Sequence, residues 1–111
     1  MTEDLIVLRR EGLYCPPGDF HIDPWRPVPR AVITHAHADH ARRGHGAYLA
    51  TAVSEGVLRT RLGAITLQGL AHGEVLVING VQLSLHPAGH VLGSAQVRLA
   101  HRGQVLSLIH I

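Results

Sequence analysis

Thr34-His35-Ala36-His37-Ala38-Asp39-His40 is the stretch on which the reading of this chain turns. It follows Ala31-Val32-Ile33, a short apolar run of the kind that forms a buried strand. Residues two apart in extended backbone point the same way, so His35 and His37 can converge on one ion. A helix beginning near Asp39 would turn Asp39 and His40 toward a neighbouring position. Two adjacent metal sites are the natural product, and Ala36 and Ala38 leave room for close approach of the ligands. A lone His-x-His is usually a surface feature; three histidines and an aspartate at this spacing, at a strand end, are not explained that way.

Further along lies His86-Pro87-Ala88-Gly89-His90-Val91-Leu92-Gly93-Ser94, which also follows a strand-like run. Glycines on either side of a histidine let the backbone turn tightly and approach a ligand. His90 would complete a three-nitrogen site with His35 and His37 and leave one position open for water. The wider composition agrees, with ten histidines among 111 residues. Cys15 is the single cysteine, so an internal disulfide is impossible and a metal must be held by nitrogen and oxygen. Cys15 itself reads as a small packed residue.

Hydrophobic residues make up 46% and charged residues 16%, the balance of a globular chain rather than a disordered one. The length fits one domain. No apolar run approaches the ~20 residues that span a bilayer, and Met1 to Ile6 does not resemble a signal peptide, so the cytoplasm is the expected compartment. The net charge of +2 is too weak to argue for nucleic acid. All ten basic residues are nevertheless arginine, the better bidentate partner for phosphate.

Strands are expected at Leu5–Leu8, Phe20–Asp23, Ala31–Ile33, Tyr48–Ala50, Ile65–Leu67, Val75–Ile78, Val81–Leu85, Ala95–Leu99 and from Val105 onward. Asn79-Gly80 is a strong hairpin signal, and Arg102-Gly103 joins the last two strands. Gly12 to Asp19, with Pro16, Pro17 and Gly18, reads as a loop. Thr51 is a fair helix cap before Val53, Val57, Leu58 and Leu62 at helical spacing, with Gly63 closing the helix. A second, short helix is expected at Asp39–Arg43. Helices between strands suggest a layered α/β sandwich.

The His35-x-His37-x-Asp39-His40 pattern followed by Gly89-His90 resembles the metallo-β-lactamase superfamily. Finer agreement comes from Gly12 to Trp25, Thr34 to Arg42 and Ala88 to Ala95, which look like the ligase-associated DNA exonucleases, relatives of the DNA-repair and RNA 3′-end-processing nucleases. The resemblance implies a four-layer αββα fold, of which 1–111 would be the N-terminal half and a single partial domain. It implies two divalent metal ions, usually zinc. His35, His37 and His90 would hold the first; Asp39 and His40 would begin the second and stand at the reacting centre. Asp23 matches an early aspartate that supports these ligands from behind. DNA would be the substrate, in an exonuclease of DNA repair, and a DNA ligase the associated partner.

The resemblance fades after Gln104, before the family's Ser-Gly-Asp turn and its later histidine, so the chain is expected to be a fragment, with 105–111 a tail not native to the protein. Rival readings are a hydrolase of the same fold acting on RNA, a thioester or a lactam, and an inactive metal-binding piece. His21, His45, His72, His86, His101 and His110 are expected at the surface or in packing, with His45 and His86 near enough to line the cleft. Arg42 and Arg43 are placed to contact phosphate or to lie on a solvated helix face.

Overall fold

The computed structural model describes residues 5–34, 42–87 and 95–109, with side chains for all but 87 and 107–109. Two sheets are formed. The first runs β1 (Val7–Arg9), β2 (Gly12–Cys15), β3 (Phe20–Ile22), β4 (Arg30–Val32), β5 (Ala47–Thr51), β6 (Leu67–Leu70) in spatial as well as chain order. Its β1–β2–β3 part is antiparallel and β3 to β6 are parallel. The second sheet is antiparallel, with β7 (Val75–Ile78), β8 (Val81–Pro87), β9 (Ala95–His101) and β10 (Gln104–Ile109) as successive neighbours. Parallel neighbours need a crossover. Between β5 and β6 it is a 3-10 turn, Ala52–Ser54, running into α1, Glu55–Leu62.

Alternation along each strand sorts the core into two layers. Phe20, Ile22, Val32 and Leu49 meet Val81, Leu83, Leu85, Val97 and Leu99 between the sheets. Ala31, Ile33, Tyr48 and Ala50 face the other way and bury Leu58 and Leu62 of α1. The central parallel strands are therefore apolar on both faces, as such strands must be. Among the described residues the order of layers is helix, sheet, sheet.

Both hairpins of the second sheet turn on two residues with positive φ. Asn79 and Gly80 have φ of 50° and 83°, Arg102 and Gly103 of 50° and 84°. These values match the right-handed twist of the flanking strands. Other expectations need correction. Gly12–Cys15 is a strand, not part of a loop, and it bridges β1 and β3. Sheet pairing on both sides outweighs the breaker signals next to it. The helix begins at Glu55, and Thr51 makes no side-chain cap bond. Val53 and Val57 lie exposed, while Leu58 and Leu62 alone carry the buried stripe. The strand expected at Ile65–Leu67 is displaced to Leu67–Leu70. Of the helix expected at Asp39–Arg43, the described residues Arg42 and Arg43 are not helical, and the others lie outside the described residues.

Candidate metal centre

The parallel strands β3, β4 and β5 end at one edge of the first sheet, and crevices beyond the carboxyl ends of such strands are the usual ligand sites of open α/β sheets. Asp23 and Thr34 stand there, just past β3 and β4. The amide of Asp23 donates to the carbonyl of Val32 at 2.8 Å, which continues the ladder. Asp23 then takes a φ of 46°, a conformation that aspartate tolerates better than most residues. Its buried carboxylate receives the Thr34 amide on Oδ1 at 2.8 Å and the Thr34 hydroxyl on Oδ2. The carbonyl of Thr34 in turn accepts the amide of Ala95, the first residue of β9, at 2.7 Å.

This backbone bond ties the two sheets together at the point where both histidine-bearing segments attach. His35 is the next residue after Thr34, and the segment containing His90 ends at Ala95. His35, His37, Asp39, His40 and His90 themselves lie outside the described residues. What the described residues supply is the frame: two strand ends joined by a hydrogen bond and a fixed carboxylate beside them. The donor set in those segments is imidazole and carboxylate, which suits zinc and similar divalent ions. The buried Asp23 carboxylate holds Thr34, the residue that precedes His35 in the sequence. Among the described residues no group of three such side chains could hold a metal ion; it is by donor type that the sequence fits the implied ions.

Of the other histidines, His110 lies outside the described residues, and His101 ends β9, half-buried. His45 precedes β5 and so sits at the amino edge of the parallel strands, opposite Thr34; it does not line the cleft. Its Nδ1 accepts the Val28 amide at 3.2 Å, which leaves the proton on Nε2, a buried atom without a hydrogen-bond partner among the described residues. Burial, then the charge of His21, hold the His45 pKa below its ordinary value. His21 packs on Tyr14 with ring centroids 4.6 Å apart, and burial lowers its pKa also. His86, at the end of β8, pairs its Nε2 with Ser84 Oγ at 2.9 Å. His72 is exposed in the turn before β7. Arg43 donates to the carbonyl of Arg61, near the end of α1, at 2.8 Å. The Arg42 carbonyl receives the Tyr48 hydroxyl at 2.6 Å.

Solved structures share this two-sheet arrangement. A B3 metallo-β-lactamase with an active-site glutamic acid superposes with a TM-score of 0.52 at 19% identity, covering 70% of this chain and 39% of that one. The chain has the metallo-β-lactamase fold. A protein of unknown function from Enterococcus faecalis V583 matches with a TM-score of 0.58 at 13% identity, over 70% of this chain and 23% of that one. The CmlA β-hydroxylase matches at 0.52 and 16% identity, over 76% and 21%. No family model matches the chain. By sequence, it is 36% identical over 101 residues to a protein of Opitutus terrae named "Probable DNA ligase". That alignment covers 89% of this chain and 10% of the relative, so the chain spans about a tenth of that protein's length. No helix of the described residues is long and apolar enough to cross a membrane.

Thr34 and Ala95 were not legible as site residues in the sequence, since a bond between two backbones leaves no side-chain signature. Asp23 was, through the resemblance alone.

Proposed function

We propose that the whole protein carrying this chain is a metal-dependent hydrolase of phosphodiesters, and that it degrades DNA as an exonuclease in repair. His35, His37 and His90 would hold one zinc ion, with Asp39 and His40 beginning the site for a second. The observation that carries this reading is the Ala95–Thr34 bond, which brings the attachment points of the two histidine segments together. When bound, such ions supply a hydroxide near neutral pH and neutralise charge on the phosphoryl oxygens. The chain's own contribution is orientation. Asp23 grips the amide and hydroxyl of Thr34 and so fixes the direction in which the backbone leaves β4 toward His35.

DNA as substrate rests on the resemblance of Gly12 to Trp25 and Ala88 to Ala95 to the ligase-associated exonucleases. The match to a probable DNA ligase supports the same setting and makes a DNA ligase, in the same chain or as a partner, the proposed associate. The test is to offer the whole protein an oligodeoxynucleotide, a β-lactam and a thioester, each with and without a chelator. DNA cleavage abolished by chelation and restored by zinc is expected. Hydrolysis of the lactam or thioester with the DNA left intact would replace the nuclease reading with another activity of the same fold.

A further inference from the structure

Among the described residues, the large hydrophobic side chains left exposed are aliphatic with one exception, Trp25, 47% exposed. It lies two residues past the Asp23 carboxylate that holds Thr34, so at most ~7 Å of backbone separates it from the frame of the metal centre. The loop carrying it is stiff. Pro24 and Pro27 fix φ on either side, and the Trp25 amide donates to the carbonyl of Glu11 at 2.9 Å. Gly12 lets the loop approach closely: a Cβ there would stand 3.1 Å from the Pro24 Cα and 3.6 Å from the Trp25 ring. Exposed Arg26 follows directly.

Nearly half of the indole stays accessible among the described residues, on a loop whose backbone is fixed. Its neighbour is a guanidinium, the group best suited to phosphate. A flat aromatic face beside a cation matches an unpaired nucleobase and its phosphate, because aromatic stacking accepts any base while the charge follows the backbone. We infer that Trp25 is a stacking platform for an unpaired base of the substrate strand next to the metal centre, with Arg26 reaching the adjoining phosphate. The inference rests on the phosphodiesterase reading above and adds to it a positioning residue that the metal motif does not contain.

The experiment compares wild type, Trp25→Leu and Trp25→Tyr in the whole zinc-loaded protein, on a single-stranded oligodeoxynucleotide and on the same strand with abasic sites at its end. Removing a base–aromatic stack should raise KM roughly 5- to 150-fold in Trp25→Leu, with kcat changed far less, and Trp25→Tyr should recover most of the loss. On the abasic strand the difference between wild type and Trp25→Leu should vanish. A Trp25→Leu protein that matches wild type on the intact strand, or loses equally on both strands, overturns the inference while leaving the nuclease reading in place. A wild type that fails to cleave either strand overturns the nuclease reading itself. Loss of association with a DNA ligase, without any change in KM, would make Trp25 a protein contact and also overturn the inference.

Discussion

The amide of Ala95 donates to the carbonyl of Thr34 at 2.7 Å, joining the first residue of one sheet's strand to a residue two past the end of a strand of the other. Side chains between the sheets hold the sandwich together generally, but this bond sets the spacing at one edge. The same Thr34 is held from the opposite side by Asp23. Three elements distant in sequence, the ends of β3 and β4 and the start of β9, are thereby fixed at a single residue.

Asp23→Ala should damage both stability and metal binding. It leaves the buried Thr34 amide without its acceptor, a cost of about 1–3 kcal/mol, and it removes a supporting carboxylate, which typically lowers metal affinity or activity ~10–100-fold. Asp23→Asn keeps one acceptor oxygen and tolerates the positive φ, so it should fall between wild type and Asp23→Ala. Urea midpoints and a zinc titration on the three proteins check this. Equal midpoints for wild type and Asp23→Ala would remove the role given to the carboxylate.

His45 should make the protein sensitive to mild acid. Burial and the His21 charge place its folded pKa below the ordinary 6.5, so between the two values the unfolded chain binds more protons than the folded one. The stability His45 contributes is complete above the ordinary value and is lost as pH falls through the folded one. Protonating Nδ1 also cancels its role as acceptor for the Val28 amide. His45→Asn retains an acceptor oxygen without the titration, so its thermal midpoint should decline less than that of wild type between neutral and mildly acidic pH. Parallel declines would show that His45 does not titrate in this window.

Leu58 and Val57 are adjacent on α1 and both fit a helical apolar pattern, yet Leu58 is fully buried and Val57 is 52% exposed. Leu58→Ala should therefore cost ~2–5 kcal/mol, with the cavity adding to the lost burial. Val57→Ser should stay within about 0.5 kcal/mol of wild type, as for most exposed positions. Chemical denaturation of the two variants measures both, and comparable losses would mean that the helix packs through a different face.

That pair also shows where sequence reading stopped. Spacing revealed a helix, but not which of its apolar residues the β5–β6 crossover turns inward. The hairpins were legible because Asn79-Gly80 and Arg102-Gly103 carry their backbone conformation in their own chemistry. β2 was not, because a strand held by partners on both sides does not depend on the prolines and glycine that follow it. At the candidate site the sequence names His35, His37, Asp39, His40 and His90 as expected ligands, and these lie outside the described residues. The bond between Thr34 and Ala95 was hidden, since it runs through main-chain atoms of residues far apart in the chain.

The central claim is that the two histidine segments anchored at Thr34 and Ala95 form one metal centre. Metal content per chain in the purified whole protein, measured for wild type, His37→Ala and His72→Ala, tests it most directly, with circular dichroism to confirm folding. Wild type and His72→Ala should carry two divalent ions, and folded His37→Ala should lose bound metal together with most of its hydrolytic activity, because an open site has few ligands to spare. A folded His37→Ala protein that kept the full metal complement and full activity would contradict the account.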